Sequence, residues 1–147
     1  MKIIVDTNIV FSAILNSRGK IGELLLNKPS EVQYLSPRFL LEELTRHSEK
    51  IIGLTNFSKI EYEEVKAYVI QHIEFVDPDE ISSENWVKAS DMIGEIDDKD
   101  IPFVALALEA EAFLWTGDKK LIKGLHYKKY NAVLITDTLY SKYFGQQ

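Results

Sequence analysis

At 147 residues, 46% of them hydrophobic and 11% aromatic, the chain has enough apolar side chain for one buried core and too little length for two ordinary domains. Its 17 basic and 23 acidic residues leave a formal net charge of −6, which argues against binding nucleic acid through bulk positive charge. With no cysteine, disulfide frameworks and thiolate metal sites are excluded, and any metal is left to hard oxygen ligands.

Lys2 to Val5 reads as a short buried strand, which Asp6 interrupts too early for a signal peptide. Charged residues break every later apolar run well short of the ~20 residues that a membrane helix needs, so a cytoplasmic location is the expected default. Ser17, Arg18 and Gly19 lead into a helix over residues 20–27, with Ile21, Leu24 and Leu25 as its apolar positions. A second strand is expected at 32–36, followed by a helix that opens with Pro37 in its first turn. At about 100° per residue, Phe39, Leu40, Leu41, Leu44, Ile51 and Ile52 define that helix's apolar arc. Two amphipathic helices, 58–73 and 82–93, follow on either side of Phe75-Val76-Asp77-Pro78. Residues 101–110 are apolar almost all round, the mark of a helix buried on most faces. Strands are expected at 112–116 and 132–136. No repeat, low-complexity tract or linker divides the chain, so 1–147 reads as one α/β domain whose parallel sheet is covered on both faces.

Carboxylates recur where strand gives way to helix. Asp6 ends the first strand in Val5-Asp6-Thr7-Asn8, a position that a plain N-cap also explains. Glu42 lies nearly opposite the apolar arc and faces water near Arg38 and Arg46. Glu43 lies on the edge of the arc, one turn from His47, and its half-buried carboxylate needs a partner, for which a basic side chain or backbone donor would suffice. Asp97-Asp98-Lys99-Asp100-Ile101-Pro102 sets three carboxylates before the buried helix, with Asp100 at or beside its N-cap. One Asp is enough for a cap, and repulsion among three is easier to understand with a cation nearby. Asp118 follows Leu114-Trp115-Thr116-Gly117, and Asp137, in the same place after the last strand, reads as a cap.

Parallel strands align their C-terminal ends along one rim, where open α/β sheets bind ligands. Brought together there, Asp6, Glu43, Asp100 and Asp118 would form a magnesium or manganese site. Four carboxylates ~5 Å apart, at an effective dielectric of about 20, would repel by about 3 kcal/mol per pair, which metal binding or protonation relieves. Lys119, Lys120, Lys123, Lys128 and Lys129 cluster after Asp118, and Arg38, Arg46 and Lys50 lie on the Glu43 helix. Solvated surface charge accounts for any one of them; as a group they would flank the acidic centre. No aromatic platform with a base-reading pattern is visible.

The segments Asp6-Thr7-Asn8, Leu41-Glu42-Glu43-Leu44, Asp100-Ile101-Pro102-Phe103-Val104-Ala105-Leu106-Ala107 and Leu114-Trp115-Thr116-Gly117-Asp118 occur in the order and spacing of the PIN domain. Over nearly its whole length the chain resembles that family, the nuclease fold of VapC-type toxins. The resemblance implies an α/β/α sandwich with a central parallel sheet and an acidic site holding one or two Mg2+ or Mn2+ ions. It places the family's four acids on Asp6, Glu43, Asp100 and Asp118, and its polar supporting positions on Asn8 and Thr116. Asp97 or Asp98 would be a further supporting group, and His47 a neighbour of Glu43; His72 reads as structural. The implied activity is ribonuclease cleavage by a metal-activated water, with RNA as substrate, a small antitoxin as partner and a homodimer as assembly. A PIN-like binding or scaffold module with little turnover is the alternative.

Two other classes are disfavoured by single residues. Haloacid-dehalogenase-type phosphatases begin with Asp-x-Asp, but the third position here is Asn8, which cannot serve as a general acid. A receiver domain needs paired acids at the first strand end and a lysine after the last strand, and neither Ile4-Val5-Asp6-Thr7 nor Ile135-Thr136-Asp137-Thr138 supplies them.

Overall fold

In the computed structural model, which describes residues 1–145, Ile3, Ile4 and Val5 are wholly buried. Burial on both faces is what the centre of a parallel sheet requires, and β1 (Lys2–Val5) lies there. It pairs in parallel with β2 (Gln33–Pro37) on one side and β4 (Phe113–Trp115) on the other. The edges are β3 (Ile73–Val76), beside β2, and β5 (Val133–Leu134), beside β4, so the order is β3-β2-β1-β4-β5.

The order reverses between β1 and β4, and open sheets form a ligand crevice beyond the strand ends at such a switch point. Register decides what stands there. Val5 is opposite Trp115, and the Asp6 N–H donates to the Trp115 carbonyl at 3.2 Å, so Asp6 and Thr116 leave the sheet side by side.

The helices are α1 (Thr7–Leu15), α2 (Lys20–Leu26), α3 (Phe39–Arg46), α4 (Ser48–Leu54), α5 (Lys59–Ile70), α6 (Ser83–Ile93), α7 (Ile101–Ala110), α8 (Lys119–Tyr127) and α9 (Thr136–Phe144). Helix α7 buries Phe103, Val104, Ala105, Leu106 and Ala107 against β1, β2 and β4, as its uniform apolarity requires, and α6 packs over it. Helices α1, α2, α5 and α9 pack among themselves, which completes the α/β/α sandwich. Among the described residues no helix is long and apolar enough to cross a membrane.

The structure departs from the sequence pattern in five places. Helix α1 follows Asp6 at once, although Thr7, Ile9, Val10 and Ile14 are β-branched and hide its period. Pro37 closes β2 instead of opening the next helix. At His47 the expected single helix breaks into α3 and α4, so Ile51 and Ile52 sit on a different helix from Glu43. Residues 73–76, read as helix end and separator, form β3, whose half-exposed edge position with Glu74 outward gives little apolar signal. Ser58, expected inside α5, is instead its N-cap, in a reciprocal capping box with Glu61.

Helix α2 enters by a close backbone approach: a Cβ on Gly22 would lie 2.2 Å from the Ser17 carbonyl oxygen, whereas one on Gly53 in α4 would meet nothing within 4 Å. Gly22→Ala should therefore cost about 1–3 kcal/mol through forced backbone movement. Gly53→Ala should gain about 0.5–1 kcal/mol by restricting the unfolded chain and favouring the helix. Paired urea denaturation curves check the opposite signs.

Candidate active site

Three of the four candidate acids occupy N-cap positions of α-helices, but only one of the three caps. Asp118, ahead of α8, accepts from the Lys120 and Leu121 amides through Oδ1 at 3.0 and 3.1 Å. Asp6, ahead of α1, makes no capping hydrogen bond; it is 4% exposed, and its Oδ2 accepts from the Thr116 hydroxyl at 2.7 Å. Asp100, ahead of α7, makes no cap either, and its Oδ2 is a buried oxygen without a hydrogen-bond partner. Buried polar atoms are rarely orphaned, and a proton or a bound ligand would satisfy this one.

Glu43 comes from α3. It is 9% exposed while Glu42 faces solvent, as the helical arc requires. Its partner is neither a basic residue nor a backbone amide: Thr7, on the first turn of α1, donates from Oγ1 to Glu43 Oε1 at 2.5 Å. Thr116 does double duty, donating to Asp6 and accepting from the Asp118 amide at 3.1 Å. The two threonines thus fix three of the four acids, each tied to a neighbouring element.

The acids share one electrostatic field. Burial, above all, pushes the Asp100 pKa up to about 7, and the nearby negative charges of Asp6, Asp97, Asp118 and Glu43 raise it further. Burial likewise pushes Asp6 up to about 6; the Thr116 hydroxyl and Thr7 amide oppose that rise, and Glu43 and Asp118 add to it. Among the described residues, however, no three His, Asp or Glu side chains stand close enough to make a ready metal cage. The donor set is all carboxylate oxygen, with one oxygen unpartnered, and suits a hard divalent cation.

The remaining candidates separate. Asp97 acts on Asp100 through its charge while accepting from the Lys99 amide at 3.0 Å; Asp98 is exposed. Asn8 is exposed and donates no hydrogen bond to the acids. His47 packs edge-on against Phe11 at 5.9 Å, away from any bond to Glu43, and His72 is exposed just before β3. Asp137, expected as a cap, lies inside the first turn of α9 and pairs with Lys20 at 3.0 Å. Thr7 went unrecognised in the sequence, where its only signal is its place after Asp6.

Comparison with known proteins agrees with this architecture. The PIN domain family matches residues 4–138. Among solved structures, a chain from the crystal structure of VapBC2 from Rickettsia felis bound to a DNA fragment from their promoter superposes with a TM-score of 0.64 at 17% identity. The match covers 92% of this chain and 97% of that one, and it establishes a shared fold. No curated protein sequence matches the chain significantly. The chain belongs to the PIN domain family.

A carboxyl whose pKa is raised by folding binds its proton more tightly in the folded state. The stability contributed by Asp6 and Asp100 is therefore full below the ordinary value of 3.8 and is lost as pH rises through about 6 and about 7. In chelator, wild type should lose melting temperature between pH 5 and 8. Asp100→Asn, of the same shape but uncharged, should lose less and be the more stable at pH 8. Thermal unfolding across that range checks both.

Proposed function

We propose that the chain is a metal-dependent nuclease, a ribonuclease of the VapC toxin type, and that residues 1–147 form one nuclease domain. The observation that carries this reading is the buried, unpartnered Asp100 Oδ2 in a field of four other carboxylates, at the sheet's switch point. Asp6, Glu43, Asp100 and Asp118 would hold one or two Mg2+ or Mn2+ ions. Bound there, such a cation lowers the pKa of an attacking water and offsets charge building on the phosphoryl oxygens and leaving group.

The chain's own residues set the geometry. Thr116 holds Asp6 and the Asp118 amide, Thr7 holds Glu43, and the α8 cap orients Asp118. Both threonine hydroxyls already donate to acids, so neither is a free nucleophile, and water is left to attack the phosphodiester. Asp97 adds negative charge beside Asp100. Asn8, exposed at the rim, is proposed to meet substrate instead of supporting an acid.

RNA as substrate and a homodimer follow from resemblance to VapC toxins, and a cytoplasmic location is the default expected from the sequence. The solved neighbour is a VapBC2 structure, which supports a small antitoxin as partner. A second reading, a PIN-like scaffold with little turnover, is favoured by the lack of a preassembled metal cage among the described residues.

Cleavage of a labelled single-stranded RNA should need Mg2+ or Mn2+ and Asp100, and should vanish in chelator or in Asp100→Asn. Millimolar metal should raise the melting temperature of wild type and leave Asp100→Asn unmoved. Absence of both effects in wild type leaves the scaffold reading in place. Thr116→Val should keep the fold and lower metal affinity or turnover by about 10–100-fold, since it frees Asp6 without removing a ligand.

A further inference from the structure

The lysines after Asp118 take no part in the chemistry above. Residues 119–129 contain five lysines and no acid, in a chain of net charge −6. All five are exposed, and among the described residues none forms an ion pair. Lys119 and Lys120 stand in the first turn of α8, where the helix dipole disfavours cations, directly after the N-cap acid Asp118.

Helical periodicity aligns the charges. At about 100° per residue, Leu121 and Leu125 are buried on one side of α8, while Lys119, Lys120, Lys123 and Tyr127 fall within an arc of about 100° on the other. Tyr127 is 83% exposed, the most solvent-open large hydrophobic side chain described. A groove of about 430 Å³ runs beside it, with Lys120, Lys123, Tyr127 and Lys128 on the α8 wall and Asp91 and Glu95 on the α6 wall. The acidic wall repels an anion, so a polyanion is held to the α8 side.

We propose that this face of α8 is a track for single-stranded nucleic acid, its lysines contacting phosphates and Tyr127 stacking on a base. The track rests on the nuclease reading and deepens it, because α8 starts at Asp118 and so leads a strand to the acids. Its nine residues rise about 13 Å, enough for a few nucleotides. Stacking on an open ring requires unpaired bases, which favours a single strand over a duplex or an anionic lipid surface.

The test is fluorescence anisotropy of a short labelled RNA with the full chain carrying Asp100→Asn, which leaves the RNA intact. Tyr127→Ala should weaken binding by about 5- to 150-fold, and Tyr127→Phe should restore it. Lys120→Gln and Lys123→Gln should each lower the salt slope by about 0.7, while Lys59→Gln on α5 changes nothing. Indifference to Tyr127→Ala, absence of binding, or equal binding to duplex RNA or phosphatidylserine vesicles would each overturn the track. The underlying nuclease reading fails separately. If wild type cleaves and the α8 substitutions leave KM unchanged, the track alone falls; if RNA binding depends on α8 yet nothing is cleaved, the track stands and the nuclease reading falls.

Discussion

Negative charge buried at the switch point of a parallel sheet is the constraint around which the rest of the chain is arranged. Desolvation is the largest cause that raises Asp6 and Asp100 above ordinary carboxylates, and neighbouring acids add to the rise. A fold can keep such groups only if the surrounding structure over-determines them. Here the supports are hydroxyls and not cations: Thr116 and Thr7 bind the acids without neutralising them. A lysine or arginine in either place would have neutralised the acids, whereas a threonine leaves their charge in place. The choice of threonine is therefore informative in itself.

The three N-cap acids make the same point by contrast. Asp, Ser, Thr and Asn are common at helix starts because their side chains satisfy orphan amides, and stability alone would have all three of these acids do so. Asp118 does, with one oxygen. Asp6 and Asp100 forgo the cap, and Asp100 is left with a buried oxygen that nothing in the protein satisfies. Helices α1 and α7 begin without that support and rest on burial instead, α7 through five buried residues against three strands. Packing strength in the core thus permits local disorder in the hydrogen-bond rules at the rim.

How much of this was legible in the sequence depends on which physical signal each element leaves. Short apolar runs made β1 and β4 plain, β2 lay within one residue of its expected bounds although Gln33 and Ser36 interrupt its apolar positions, and α7 matched its expected bounds of 101–110. The edge strand β3 is half exposed and left no such run. Helix α1 was masked by β-branched residues, and the break at His47 leaves no trace in a hydrophobic period that continues across it. At the site, periodicity separated Glu43 from Glu42, because a helix face is a local property. Thr7 and the open oxygen of Asp100 depend on which elements meet across the sheet, and no local pattern encodes that.

The proposed nuclease activity would bring an acidic chain to a polyanion. A net charge of −6 repels nucleic acid at long range, and an acidic centre repels it further until a cation binds. Attraction must then be local and one-sided. In the proposed track helix α8 would supply it with lysines on the face opposite Leu121 and Leu125, starting next to Asp118, whose charge acts on Asp100. Screening over about 8 Å at physiological salt confines that attraction to strands already near the rim. A proposed nuclease built this way holds little affinity for nucleic acid over the rest of its surface, and its discrimination then falls to whatever lies along α8 and the switch-point crevice.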